Sequence, residues 1–217
     1  KELEKELETR GHRYTRYADD CVIAVKSESS AKRVMRTVSD WIQRKLGLKV
    51  NMTKTHITRP LKLKYLGFGF YKDSKTKEWK CRPHQDSVKK FKDRLKELTC
   101  RKMPGTVTGR IEKINQVTRG WINYYALGSM KTVMTEIDAH LRTRLRVIIW
   151  KQWKVPQKRQ WGLQKLGVDK DLARMTAYCG DRYYWIATKT CVVRVISKDV
   201  LAKAGLLRCL VYYNKRH

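Results

Sequence analysis

The chain has 217 residues, with 50 Lys and Arg against 20 Asp and Glu, a formal net charge of +30 and a pI near 10.1. Its 41% hydrophobic content, 7 Trp, 11 Tyr and only 4 Pro supply a packed core and exclude a disordered basic tail. No apolar run reaches the ~20 residues of a membrane helix, and the start Lys1-Glu2-Leu3-Glu4 is no signal peptide, so the expectation is a soluble, cytoplasmic protein whose charge calls for a polyanion, nucleic acid before a membrane surface.

The surplus is not a single tail: residues 1–86 carry +10, 87–160 carry +13 and 161–217 carry +7. That spread suits a groove following a long duplex better than a targeting signal. Residues 2–9 are short and charged. Beyond Gly11, β-prone residues over 13–25 flank Ala18-Asp19-Asp20 and predict a hairpin with an acidic turn. Ser29 or Ser30 is placed to cap a helix in which Ala31, Val34, Met35, Val38, Trp41, Ile42 and Leu46 keep the 3,4 spacing up to Gly47. Residues 48–50 and 55–58 read as short strands, and 65–71 as a strand pairing with 79–82 across Lys72-Asp73-Ser74-Lys75. The sum is an antiparallel sheet with a helix packed on one side.

From Asp86 the period becomes helical. Val88, Phe91, Leu95 and Leu98 make one stripe; Val107, Ile111, Ile114, Val117, Trp121 and Tyr125 a second; Met130, Val133, Met134, Ile137, Leu141, Leu145 and Ile148 a third. Pro104-Gly105 and Gly128-Ser129 separate these helices, with Ser129 in N-cap position for the third, so they should pack antiparallel. Their opposite faces hold Lys89, Lys90, Arg94, Arg110, Lys113, Arg142, Arg144 and Arg146, a surface short of the acids that ordinary surfaces intersperse. Past Pro156 and Gly162 the pattern predicts a helix after Asp169, aromatic Tyr183-Tyr184-Trp185, and a helix capped by Ser197 and ending near Gly205. Six cysteines without a C-x-x-C pair argue against a zinc site and for reduced, mostly buried thiols.

The chemistry rests on Tyr17-Ala18-Asp19-Asp20. Two adjacent carboxylates at a tight turn repel each other unless a cation lies beside them, and carboxylate oxygens are the ligands Mg²⁺ prefers. A polymerase needs such a pair because one ion activates the primer 3′-hydroxyl while another holds the triphosphate, and both use shared carboxylates.

The stretch Arg16-Tyr17-Ala18-Asp19-Asp20-Cys21-Val22-Ile23 resembles motif C of reverse transcriptases, in the wording of the group II intron-encoded reverse transcriptase/maturase family. Leu48-Lys49-Val50-Asn51-Met52-Thr53-Lys54-Thr55 is similar to the family's motif D, and Tyr65-Leu66-Gly67-Phe68-Gly69-Phe70 to motif E, the primer grip. Arg119-Gly120-Trp121-Ile122-Asn123-Tyr124-Tyr125 looks like the signature of the maturase-specific thumb, domain X. Four blocks in family order cover most of residues 10–150.

The resemblance implies an α+β fold: the C-terminal part of a right-hand polymerase palm over 1–85, an all-α three-helix thumb or domain X over 86–155, and a small C-terminal extension over 156–217. It implies that Asp19 and Asp20 ligate Mg²⁺ in a two-metal site. Tyr17, Ala18, Asn51, Lys54, Leu66, Gly67 and Phe68 would meet nucleotide and primer; Lys89, Lys90, Arg94, Arg110, Lys113, Arg119, Asn123, Tyr124, Arg142, Arg144 and Arg146 would meet RNA. Trp121 and Tyr125 lie on the apolar stripe and read as thumb core. The implied partners are group II intron RNA, an RNA template/DNA primer duplex, dNTP and target DNA, in a bacterial, nucleoid-associated setting. Whether the tail meets DNA, RNA or a second copy in a homodimer stays open.

The family's palm takes a further aspartate from motif A, upstream of the turn, together with fingers and template-binding segments that residues 1–16 have no room for. The chain is therefore expected to be the C-terminal half of a larger polymerase, with an incomplete metal site and no activity alone, and it carries no Cys/His-rich tail of the endonuclease kind. The parent would be an RNA-directed DNA polymerase that serves as a splicing maturase and moves its intron by target-primed reverse transcription. Two alternatives remain: a non-catalytic RNA-binding maturase module, and an RNA-dependent RNA polymerase palm, which lacks the 119–125 block.

Overall fold

In the computed structural model, which describes residues 1–216, the chain divides into two units, Lys1–Trp79 and Lys80–His217. In the first unit, Glu2–Thr9 forms helix α1, which the sequence hides because its one fully buried side chain, Leu7, makes no stripe. Leu7 joins Val34 and Val38 in a small core against which Leu3, Tyr14, Ile23, Val25 and Ile42 pack. Strands β1 (Arg13–Tyr17) and β2 (Asp20–Ala24) pair antiparallel from Arg13 opposite Ala24 to Tyr17 opposite Asp20, as the alternation predicts. Helix α2 (Glu28–Leu46) begins on Ser27, whose Oγ accepts the Ser30 N–H at 3.2 Å. Ser30 is thus the donor in the cap rather than the cap itself. The helix ends on Gly47 at φ +63°, the left-handed conformation glycine adopts without a Cβ clash.

The short strands expected at 48–50 and 55–58 do not form. Asn51 closes a turn instead: its Oδ1 accepts from the Thr53 N–H at 3.0 Å, the Thr53 hydroxyl at 2.6 Å and the Lys54 N–H at 3.2 Å. Its backbone carbonyl accepts from Lys54 and Thr55. A side chain that satisfies neighbouring backbone locally competes with a strand ladder. A 3₁₀ turn, Pro60–Lys62, then leads into β3 (Lys64–Tyr65), β4 (Phe68–Lys72) and β5 (Trp79–Pro83), in sheet order β3-β4-β5. The strand expected over 65–71 is therefore two strands. The pairs Lys64–Gly69 and Tyr65–Phe68 leave Leu66 and Gly67 as a two-residue loop, at φ +50° and +78°. Positive φ at both positions matches the strand twist, so Gly67 serves a reversal. The single sheet expected from sequence is two separate sheets.

In the second unit, α3 (Gln85–Leu98), α4 (Val107–Tyr124) and α5 (Lys131–Gln152) pack on one another. The three stripes are the core: Phe91, Leu95, Leu98, Ile111, Ile114, Met130, Met134, Ile137, Leu141, Leu145 and Ile148 are all buried. Phe91 stacks on Trp121 with ring centroids 4.4 Å apart, and Tyr125 packs against the same indole, so Trp121 and Tyr125 serve the core as expected. Thr106 caps α4 by accepting the Gly109 N–H. Ser129 does not cap α5, which starts from Met130 without a side-chain cap; its N–H goes to the Cys81 carbonyl on β5 at 2.9 Å.

The remainder is helical throughout: α6 (Pro156–Lys165), α7 (Lys170–Ala177), α8 (Tyr183–Thr188), α9 (Thr190–Val195), α10 (Lys198–Lys203) and α11 (Cys209–Asn214). Asp169 caps α7 and Ser197 caps α10, as their positions predict. Of these, α8 and α11 lie on α5 and α11 also on α4, while α6 and α7 pack on each other. Polar side chains, buried or partly buried, fix the docking. Asn115 of α4 donates to the Gly205 carbonyl at 2.7 Å and accepts the Leu207 N–H at 2.9 Å. The Asp138 carboxylate of α5 accepts the Cys209 and Leu210 N–H groups at 2.8 and 3.1 Å, and the Tyr213 hydroxyl donates to the Gly128 carbonyl. The cysteines are all free thiols, but only Cys209 is buried and Cys21 is exposed, so burial is less general than the sequence suggested.

Candidate active-site turn and nucleic-acid surface

The β1–β2 register puts Tyr17, Ala18, Asp19 and Asp20 at the hairpin tip. Ala18 sits at φ +50°, a left-handed conformation that costs a non-glycine residue about 1–2 kcal/mol. Arg16 braces the turn: its Nε donates to the Ala18 carbonyl at 2.9 Å, while its guanidinium also lies 3.6 Å from Glu4. Tyr17 is 65% exposed, and Asp19 and Asp20 are exposed beside it. Among the described residues neither carboxylate has a hydrogen bond or an ion pair. Two adjacent hard oxygen donors left unneutralised in a strongly basic chain fit a Mg²⁺ ion, although no third His, Cys, Asp or Glu gathers with them among the described residues.

Tyr65, on β3, is a neighbour that sequence reading missed. Its hydroxyl is buried without a hydrogen-bond partner. Burial first, then the nearby Cys21 and Asp20, raise its pKa above the ordinary tyrosine value. The β3–β4 hairpin thus stands next to the acidic turn, with Leu66, Gly67 and Phe68 at its reversal. Asn51 and Lys54 lie in the exposed loop before it; the Asn51 carbonyl oxygen is spent on its own turn, leaving the amide NH₂ to donate.

On the second unit the predicted basic residues fall into two groups. Lys89, Lys90, Arg94, Lys113 and Arg119 are exposed, Arg94 being paired with Glu97 at 2.7 Å. Asn123 and Tyr124 are exposed as expected, and Asn123 accepts from the Tyr212 hydroxyl at 3.0 Å. The others belong largely to the scaffold. Arg110 is only 4% exposed and donates to the carbonyls of Cys100 and Met103, closing the α3–α4 loop. Arg146, at 7%, donates to the Ile196 carbonyl at 2.9 Å, and burial lowers its pKa. Arg144 is half-buried on Thr99 and the Lys96 carbonyl, and Arg142 is half-buried too. Arg110 and Arg146 are therefore not surface contacts: a buried guanidinium needs acceptors, and loop carbonyls supply them. Charge type alone could not separate these arginines from their exposed neighbours.

A groove of about 300 Å³ between α3 and α5, lined by Lys92, Asp93, Lys96, Glu136 and His140, was also not legible in the sequence. Lys92 bridges to Glu136 at 2.9 Å across it. Burial, then Arg144, Lys92 and Lys96, hold His140 below its ordinary value. No helix among the described residues is long and apolar enough to cross a membrane.

Comparison with known proteins agrees with this division. Residues 1–70 match the family model for reverse transcriptase (RNA-dependent DNA polymerase), and residues 88–167 match that for the group II intron, maturase-specific domain. A Saccharomyces cerevisiae protein named for intron 2 of COX1/OXI3 is 26% identical over 136 residues, which is 61% of this chain and 15% of the relative, so the chain spans a small part of that protein. The acidic hairpin falls under the first model and the 119–125 block under the second, so the chain is similar both to reverse transcriptases and to the maturase-specific domain of group II introns.

Proposed function

We propose that this chain supplies the acidic turn, the primer grip and the thumb of an RNA-directed DNA polymerase that also binds its intron RNA as a splicing maturase and moves that intron by target-primed reverse transcription. The observation that carries the reading is the hairpin tip, where Asp19 and Asp20 stand exposed and unneutralised beside Tyr17. Mg²⁺ bound there would lower the pKa of a primer hydroxyl and screen triphosphate charge. The chain's own residues position the reactants. Ala18 leaves room at the turn for a nucleotide, Tyr17 offers a ring to the primer end, and Lys54 and the Asn51 amide offer donors to phosphate. The reversal at Leu66, Gly67 and Phe68 lets a nucleic-acid backbone approach a side-chain-free position.

Residues 1–85 would then be palm, 86–155 thumb or domain X, and 156–217 an extension braced on the thumb. Lys89, Lys90, Arg94, Lys113, Arg119, Asn123 and Tyr124 form the surface for an A-form-like template–primer duplex, recognised chiefly through phosphate and 2′-hydroxyl groups. Arg142 and Arg144 border that surface, and Arg110 and Arg146 hold its scaffold. Intron RNA, dNTP and target DNA are the proposed partners.

A second reading, a maturase module that binds RNA without polymerising, is favoured for the isolated chain because, among the described residues, no third His, Cys, Asp or Glu joins Asp19 and Asp20. Mg²⁺-dependent nucleotide incorporation on a primed RNA template separates the readings. The intact protein is expected to use dNTP in preference to NTP, and this chain alone to incorporate neither. A preference for NTP would point to an RNA-dependent RNA polymerase instead.

A further inference from the structure

A cluster that neither the acidic turn nor the basic helices use lies around α8. Cys179 follows α7, Asp181 precedes α8, and Lys189 is the joint between α8 and α9. Lys189 Nζ stands 2.9 Å from Cys179 Sγ and 2.7 Å from Asp181 Oδ2, and Cys179 Sγ lies 3.1 Å from the same oxygen. The three groups close a triangle of thiol, ammonium and carboxylate. It is open to small reagents: the Asp181 and Lys189 side chains are 48% and 39% exposed, and Cys179 is half-buried.

The ion pair within the triangle has a defined charge state. Hydrogen bonds from Lys189 and then Cys179 hold the Asp181 carboxyl below the usual carboxylate range, and the bond to Asp181 raises Lys189. Lys189 is therefore kept as an ammonium 2.9 Å from Sγ, placed to meet the negative charge that develops there once the thiol proton, which Asp181 accepts as a hydrogen bond, has left. The other thiols differ. Cys209 is buried and its thiol is pushed up by that burial, and Cys21, although exposed at the hairpin surface, is raised by partial desolvation. Cys81 faces the Leu127 carbonyl and Cys191 the Thr176 hydroxyl. Cys100, lowered by a backbone hydrogen bond from Lys102, is the competing thiol.

We propose that Cys179, Lys189 and Asp181 form a modification site for small hydroperoxides, at which Cys179 is oxidised to a sulfenic acid held by Lys189. The thiol proton leaves to solvent and the thiolate attacks one peroxide oxygen. A sulfur–oxygen bond forms as the oxygen–oxygen bond breaks; sulfur loses two electrons, and the departing hydroxide takes a proton from solvent to give water. Lys189 donates first to the thiolate and then to the sulfenate oxygen. Asp181 keeps it charged, so it does not act as the amine that would condense with the sulfenic acid.

The test is brief exposure of the full chain to hydrogen peroxide, trapping with dimedone, and mass spectrometry of each cysteine peptide. Cys179 is expected to be labelled first among the six cysteines. Lys189→Met is expected to slow its labelling about tenfold, the scale of one hydrogen bond to a charged group, and Lys189→Arg to restore most of the rate, with thermal melting showing both variants folded. Labelling of Cys100 or Cys21 ahead of Cys179 would overturn the proposal. So would an unchanged rate in folded Lys189→Met; if that variant does not fold, the ranking of thiols in the unmodified chain still decides.

Discussion

In the intact protein, replacing Asp19 and Asp20 together by alanine is expected to lower primer extension by at least about 10³-fold while leaving affinity for a primed RNA template nearly unchanged. Both side chains are exposed at a hairpin tip and support no core residue, so the fold should hold within about 0.5 kcal/mol. Losing the metal ligands removes several kcal/mol of transition-state charge stabilisation, and about 4 kcal/mol already corresponds to three decades in rate. The long-range electrostatics run the other way: removing two negative charges from a chain of net +30 cannot weaken its attraction for a polyanion. Steady-state extension and equilibrium binding on the same variant are the measurements. Retained extension would remove the proposed site, and lost binding would mean that the acidic turn is structural.

Asp138→Ala is expected to have the largest effect on stability. The carboxylate accepts two backbone N–H groups at the start of α11 in a partly buried joint, and its removal takes the acceptor from both. Hydrogen bonds to a charged group contribute about 1.5–3 kcal/mol each. A net loss of about 2–4 kcal/mol would lower the melting temperature of a chain this size by about 4–16 °C. Because α11 lies on both α4 and α5, the loss should appear in the melting of the whole helical unit, read by near-ultraviolet circular dichroism. A variant that melts at the normal temperature but is cleaved by protease only beyond residue 204 would show the tail to be an independent attachment. Asn115→Ala probes the same joint from α4, through Gly205 and Leu207.

The legible parts of this fold are those in which one residue type answers one physical need. Alternation and the Ala18-Asp19 reversal predict the first hairpin, and the three apolar stripes predict α3, α4 and α5, because burying a face requires that spacing, although α5 runs on to Gln152 past the last stripe residue, Ile148. The misses have local causes. Leu7 alone anchors α1, so no period announces it. Ser27, Ser29 and Ser30 are equally good caps by type, and only the chain path selects Ser27. Residues 65–71 look like one strand because a reversal at Leu66-Gly67 asks a non-glycine residue to take positive φ, which sequence disfavours. Helices of six residues, such as α9 and α11, are too short to show a helical period. The acidic pair was legible from its chemistry, whereas Tyr65 was not, since its nearness to Asp20 depends on how β3 packs. Arg110 and Arg146 read as surface because nothing in a sequence says that an arginine's acceptors will be loop carbonyls.

The central claim is that the exposed basic residues of the helical unit grip the phosphates of a nucleic-acid duplex. Titrating the chain with an RNA/DNA duplex at increasing salt tests it most directly. If about six to ten phosphates are neutralised, affinity should fall by ~10³–10⁵ between about 50 and 200 mM salt, and replacing Lys89, Lys90 and Lys113 should flatten that slope without unfolding the chain. A salt response that is flat from the start would contradict the account.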